Sequence, residues 1–361
     1  MDIKFLKANN GDCILISFLD SQQIKRNILI DGGMPQTYYN SATNEYGELY
    51  SIIEKIKKSK DGSEKLDLLI LTHIDEDHIG GILTWLSMDV DASNLIGKVW
   101  FNSGLTIAKY FEIKENEDLK ISLNQVNVTE TSVRQGKIFE QFIEQHGIWD
   151  KEIIKEDVTF NFEGVTLEVL SPNEVLLNKL LKEHKKPIHK YFTETRSNDW
   201  AKNIAEFIDE EKKVNFKQSK DYSVTNGSSI SFLLTFQKKS FLFLGDSHPE
   251  VILNYLNKKG FNKEEKKLEV EFVKISHHGS CKNTTKELLE VIDTSNYIIS
   301  TSSEFHSHPD KRTLARIIDV NPKATIYFNY DEVRKEIFSK KDFEDFENFY
   351  AKNTSEYIIE W

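Results

Sequence analysis

The chain has 361 residues, 39% of them hydrophobic and 29% charged, with a formal net charge of −11. That length can bury a sizeable core with room for two subdomains. The charge argues against a non-specific coat on nucleic acid, which needs a broad basic surface, but is compatible with a nucleotide held locally by metal ions. No apolar run approaches the ~18 residues of a membrane span. The first residues lack a basic start followed by an apolar block. A cytoplasmic protein with no membrane attachment is therefore expected. Cys13 and Cys281 are the two cysteines, too few for a disulfide framework.

Residues 3–8 and 12–20 read as strands around the turn Asn9-Asn10-Gly11-Asp12. Residues 26–31 form a third, ending in Asp31-Gly32-Gly33. The stretch 34–47 is polar and turn-rich, and 48–58 has helical spacing through Leu49, Ile52, Ile53 and Ile56. The apolar run from Leu66 to Leu71 reads as a buried strand. Directly after it come His73, Asp75, Asp77 and His78, then Gly80-Gly81. Open α/β sheets place their chemistry at such strand ends. In an extended segment His73 and Asp75 point the same way and can clasp one ion. Asp77 and His78 lie past the turn and suit a second ion, at the ~3.5–4 Å spacing usual for paired metals. A helix from 79 to about 87 and a strand at 98–102 follow.

Residues 103–156 show helical patterning at 132–146 and little chemistry. Strands 158–162 and 165–170 join at Glu163-Gly164. The stretch 173–222 reads as helical at 173–183 and 199–211. Its run of Lys179, Lys182, Lys185, Lys186 and Lys190, with His184 and His189, reads as a solvated face, or else as a rim contacting phosphate. Asn226-Gly227-Ser228-Ser229 precedes a strand at 230–236. Strand 240–246 ends in Gly245-Asp246, and His248-Pro249 opens a helix over 248–258. Strand 269–276 ends in His277-His278-Gly279-Ser280. A helix at 283–292 and a strand at 296–301 lead to His306-Ser307-His308-Pro309, in which His306 reads as incidental. A helix at 310–319, a strand at 324–328 and a closing strand near 356–360 complete the chain.

His73-x-Asp75-x-Asp77-His78-x-Gly80-Gly81 resembles the signature of the metallo-β-lactamase superfamily in an H-x-D-x-D-H variant. The variant is similar to a branch containing the hydrolase domain of the competence DNA-uptake channel protein and phosphorylcholine esterase. The strand ends at Asp31, Asp246, His278 and His308 follow in matching order. The resemblance implies an α/β fold, a four-layer αββα sandwich, as one domain over 1–361 with helical insertions at 103–156 and 173–222 shaping the pocket. It implies that Asp31 is structural and that Asp246 bridges two ions. His73, Asp75 and Asp246 would hold the first, with Asn226 standing where many members have a histidine. Asp77, His78, Asp246 and His278 would hold the second. His277 and His308 would meet the substrate and manage the departing oxygen, and Asn226 would bind substrate.

The expected cofactors are two divalent metal ions, Zn²⁺ first. Mn²⁺ or Fe deserves testing beside it, because the ligand set is rich in carboxylates and has no thiolate. The resemblance implies a metal-dependent hydrolase, a phosphodiesterase or nuclease acting through a metal-bridging hydroxide. Asp77, His277 and His308 would be its catalytic residues, and a nucleotide or nucleic acid its phosphate-containing substrate. Two alternatives stay open: hydrolysis of a lactone, thioester or amide, and a metal-poor regulatory or binding module, to which Asn226 points. A protein partner or homo-oligomer is compatible with each, and a role in bacterial defence is open to standalone members of the branch.

Overall fold

The computed structural model describes residues 1–59, 64–113, 132–184, 198–305 and 307–359, and all counts refer to these. Lys185, Lys186, Lys190, His189 and His306 lie outside the described residues. The chain divides into two compact units. The α/β class expected from the sequence is observed: each unit has its own sheet and its own helices.

The first unit runs from Met1 to Lys155 and includes helix Glu174–His184. Its sheet has the order Asp2–Phe5, Ile14–Leu19, Lys25–Ile30, Leu66–Ile70, Ile96–Trp100. The first three strands pair antiparallel and the last two join in parallel. All of Leu66–Ile70 is buried, as a parallel strand covered on both faces should be. Helix Glu48–Lys57 turns Leu49, Ile53 and Ile56 inward. Helix Glu76–Met88 turns Ile79, Ile82 and Trp85 inward, and all six belong to one core with Leu29 and Leu69. Helix Ser132–Gln145, from the stretch read as an insertion, contributes Phe139 and Ile143 to the same core.

The second unit takes Glu156–Pro172 and the described residues from 198 onward. Its eight-stranded sheet has the order Tyr350–Asn353, Thr325–Phe328, Asn296–Ile299, Phe272–Lys274, Lys239–Phe243, Ser231–Phe236, Val165–Ser171, Thr159–Phe162. The first five strands in that order are parallel and the rest antiparallel. Phe207, Ile252, Leu289 and Leu314, from four helices, share one core with Leu242, Val273 and Tyr297. Fully buried Lys311 and Asp342 pair at 2.7 Å, and Asp342 also accepts the Ile204 N–H at 2.7 Å. One carboxylate thus joins three segments.

Three sequence expectations are corrected. The last strand among the described residues is Tyr350–Asn353; the strand expected near 356–360 is absent from its described part, which ends at residue 359. Tyr350–Asn353 pairs in register with Thr325–Phe328. The apolar signal further on comes from Tyr357, which packs edge-on against Phe272 and Tyr327. The helix expected from 79 starts at Glu76 with Asp75 as its N-cap, so Asp77 and His78 lie in its first turn. The strand at 269–276 splits into Leu268–Glu269 and Phe272–Lys274. Helices Asp331–Ile337 and Lys340–Asp345 occupy a stretch whose spacing singles out no element.

Glu140 on helix Ser132–Gln145 is only 5% exposed, beside a small cavity lined by Ser103, Gly136 and Lys137. Burial pushes its carboxyl up to about 7. A folded-state pKa raised above the unfolded value stabilises below the unfolded pKa, and that contribution is lost as pH rises through the folded one. Denaturant unfolding should therefore show stability falling by up to about 3 kcal/mol from pH 4.5 to above 7. Glu140→Gln should flatten this slope; an unchanged slope would count against it.

Candidate functional site

In the first unit the ligand-type side chains sit where strands Lys25–Ile30 and Leu66–Ile70 leave the sheet. Asp31 follows the first of these, fully buried and with φ of 55°. Its Oδ1 accepts the Thr72 N–H at 2.8 Å. Its Oδ2 accepts the Thr72 hydroxyl at 2.7 Å and lies 2.8 Å from His78 Nδ1. A carboxylate only accepts, so His78 carries its hydrogen on Nδ1. Thr72 Oγ1 has given its one hydrogen to Asp31 and therefore accepts from His73 Nδ1 at 3.1 Å. Both rings keep their lone pair on Nε2, the state a metal-ligating imidazole needs. Burial lifts the Asp31 carboxyl above its usual range against the pull of His78 and Thr72.

Carboxylates stand beside these lone pairs. Asp75 Oδ2 lies 3.7 Å from His73 Nε2, and Asp77 Oδ1 lies 4.0 Å from His78 Nε2. The two rings are 4.0 Å apart, centre to centre. The imidazoles are buried, while Asp75 and Asp77 remain partly open. The structure thus brings His73, Asp75, Asp77 and His78 together. Two glycines set the helix that carries half of them. A Cβ on Gly11 would lie 1.6 Å from the Asp77 carbonyl oxygen, and one on Gly81 would lie 2.0 Å from that of Gly32. The Gly32 N–H donates to the His78 carbonyl at 2.7 Å. Sequence reasoning missed Asp12. It is buried, and its carboxylate clusters with Asp31 and His78, ligand atoms within 4.8 Å. Its only signal was a Gly-Asp pair before an apolar strand.

In the second unit Asp246 follows strand Lys239–Phe243. It is not the cap of the next helix; His248 is, with Pro249 first in the helix. The Asp246 N–H donates to Ser229 Oγ at 3.1 Å. His277 and His278 both have positive φ, 47° and 53°. Each places Nε2 3.7 Å from Asp246 Oδ2. His278 is buried and donates Nδ1–H to the Ser300 carbonyl at 3.0 Å, again leaving Nε2 as the lone-pair atom. The His277 side chain is 23% exposed, and its ring lies 5.1 Å from that of His308. His308 Nδ1 is 3.9 Å from Asp310 Oδ2.

Three residues beside His277 escaped sequence reasoning: Asp221, Asn283 and His248. Asp221 Oδ2 accepts from Asn226 Nδ2 at 2.8 Å and from Asn283 Nδ2 at 3.0 Å, and lies 3.5 Å from His277 Nδ1. His248 Nε2 is 3.7 Å from the same oxygen. Burial opposes ionisation of Asp221, yet hydrogen bonds from His277 and Asn283 hold its carboxyl well below the usual range. Burial would lower the His277 pKa, but Asp246 and Asp221 raise it above its ordinary value. Asn226, expected to bind substrate or metal, donates its amide nitrogen's hydrogen to Asp221.

The donor types present in each unit, imidazole nitrogen and carboxylate oxygen, suit a divalent cation. Buried imidazoles present Nε2 beside carboxylates, with Nδ1 held by a second shell. Residues 8–87 match the family model of the metallo-beta-lactamase superfamily. That segment holds Asp12, Asp31 and the whole His73–His78 cluster, and it supports metal-dependent hydrolase chemistry in general. The match is to the superfamily as a whole. Comparison with curated proteins finds no match.

Among solved structures the chain is similar to the metallo-beta-lactamase fold protein YhfI from Bacillus subtilis. That likeness has 9% identity and a TM-score of 0.40, over 99% of this chain and 98% of that one. It is similar to the diiron β-hydroxylase CmlA from Streptomyces venezuelae at 12% identity and TM-score 0.36, over 97% and 52% of the two chains. It is also similar to a metallo beta lactamase from Hirschia baltica at 11% identity and TM-score 0.22, over 68% and 71%. Among the described residues no helix is long and apolar enough to cross a membrane.

Asp31→Asn would set an amide N–H against His78 Nδ1–H and push the ring toward the other tautomer. We expect metal affinity to fall about 10–100-fold, the scale for losing a second-shell partner. A chelator competition titration, with circular dichroism to confirm folding, checks this. Unchanged affinity in a folded variant would contradict the role given to Asp31.

Proposed function

We propose that the protein is a metal-dependent hydrolase of phosphodiesters. It would use two divalent ions, Zn²⁺ first and Mn²⁺ or Fe next, held by His73, Asp75, Asp77, His78, Asp246 and His278. The observation that carries the phosphodiester reading is the pair of imidazoles His277 and His308, 5.1 Å apart and partly exposed, with His277 directly beside buried Asp246. A phosphodiester presents two non-bridging oxygens and a leaving oxygen, so two adjacent donors have separate work. A lactone or amide also has a leaving group to protonate, but only one carbonyl oxygen to stabilise, where the phosphodiester has two non-bridging oxygens.

When bound, the ions would supply Lewis acidity and a water of lowered pKa. His277, its Nδ1–H held by Asn283, would donate a second hydrogen from Nε2 to a phosphate oxygen. His308 would give a proton to the departing alkoxide as one P–O bond breaks and the oxygen of water takes its place on phosphorus. The superfamily match over residues 8–87 and the carboxylate-rich ligand set support this reading. The net charge of −11 favours a nucleotide-sized diester over a long polyanion.

Metal analysis of the purified protein tests it, together with an activity panel: a generic phosphodiester, a nucleotide diester, single-stranded DNA, RNA, a phosphomonoester and a lactone. We expect bound transition metal and turnover of the diesters. Asp77→Ala and Asp246→Ala should each lose at least about 100-fold, the scale of removing one charge-stabilising group. Protein that carries no metal and stays inert when metal is restored would remove the enzyme reading. Turnover of the lactone alone would remove the phosphate reading.

A further inference from the structure

We propose that Asp221 and Asn283 form a positioning pair that fixes the orientation and tautomer of His277 and so aims its Nε2 at the substrate. Hydrogen-bond direction carries the argument. Asn283 Nδ2 lies 3.0 Å from Asp221 Oδ2 and 3.1 Å from the Asp246 carbonyl oxygen. Both of these only accept, so the amide can be placed one way round. Its Oδ1 then faces His277 Nδ1 at 3.0 Å, and an amide oxygen can only accept. His277 therefore carries its hydrogen on Nδ1. Asp221 Oδ2 lies 3.5 Å from the same Nδ1.

The pair is itself held. Asp221 Oδ1 accepts the Ser223 N–H at 2.9 Å, and Oδ2 accepts Asn226 Nδ2 at 2.8 Å. The Asp221 side chain is 11% exposed and Asn283 is fully buried. Among the described residues His277 joins no cluster of potential metal-ligand atoms. In the reading proposed above, an orienting partner on Nδ1 serves the contact of His277 with substrate. Asp221 and Asn283 touch no reacting atom and act through the ring.

The role of His277 rests on the phosphodiesterase reading; the tautomer does not, and the test separates them. In the zinc-loaded protein, ¹⁵N–¹H spectra of the histidine side chains should show a persistent Nδ1–H on His277. Asp221→Asn keeps the shape but sets a donor amide among Asn226 Nδ2 and Asn283 Nδ2. We expect the His277 signal to shift or split while metal content and melting temperature stay as in the wild type. Turnover of the diester should fall about 10–100-fold, mostly in kcat. In a His277→Ala background the same substitution should cost nothing more, because its effect passes through that ring. If Asp221→Asn does not fold, Asn283→Ala is the equivalent probe.

An unchanged His277 signal with unchanged kcat would overturn the proposal, as would a full additional loss in the His277→Ala background. If the wild type turns over no phosphodiester, the functional reading fails and the spectra alone decide the positioning role.

Discussion

Asp31 is a carboxylate with no access to solvent, and the candidate ligands of the first unit depend on how that charge is accommodated. An isolated buried carboxylate is costly, and hydrogen bonds are what make it tolerable. Here the Thr72 amide, the Thr72 hydroxyl and the His78 ring all point at it. The Thr72 hydroxyl then has only acceptor capacity left for His73. One burial event therefore fixes two imidazoles in the same tautomer, and does so before any ion arrives. The second unit reaches the same state with different acceptors: the Ser300 carbonyl for His278, the Asn283 amide oxygen for His277. The common factor is an acceptor of unambiguous direction behind each ring, so that Nε2 is the atom left to face outward.

The backbone supplies a second constraint. Successive residues of a strand send their side chains to opposite faces. His277 and His278 are neighbours, yet both bring Nε2 to 3.7 Å from one oxygen of Asp246. Two consecutive left-handed residues make this geometry possible, at about 1–3 kcal/mol each. Hydrogen bonds on both sides hold the strained turn. The His277 N–H donates to the Gly245 carbonyl, the Ser280 N–H to the His277 carbonyl, and the Ser276 hydroxyl to the Ser247 carbonyl. Gly245 and Asp246, on the neighbouring strand end, are thus tied to the turn whose rings they meet. Strain concentrated at the residues with the most reactive side chains is the pattern expected of a functional site rather than of a packing accident.

The strand ends were legible because each is preceded by a short apolar run that needs burial on both faces. Leu66–Ile70 and Lys239–Phe243 announce themselves in this way, and their polar successors follow at once. Elements fixed by long-range partners were less legible. Tyr350–Asn353 is a strand because Thr325–Phe328 offers it a register, while the more apolar stretch beyond it serves as cover for Phe272 and Tyr327. The orienting residues were hidden for a related reason. Asp221, Asn283 and Asp12 lie in polar loops without periodicity, where an acidic or amide side chain is unremarkable. Only the fold brings Asn283 within 3.0 Å of Asp221, 62 positions away.

Asn226 shows where residue-by-residue matching stops being informative. Its position suggested a weakened metal ligand, since a histidine is expected there. In the structure it is 6% exposed, its amide nitrogen holds Asp221, and that nitrogen lies 3.4 Å from His277 Nδ1. The loop Ser223–Ser229 is instead arranged around Asp221. Ser223 caps the short helix Val224–Gly227 through the Asn226 N–H and also donates its own N–H to the carboxylate. Asn226 thus supports Asp221 and, through it, the ring of His277.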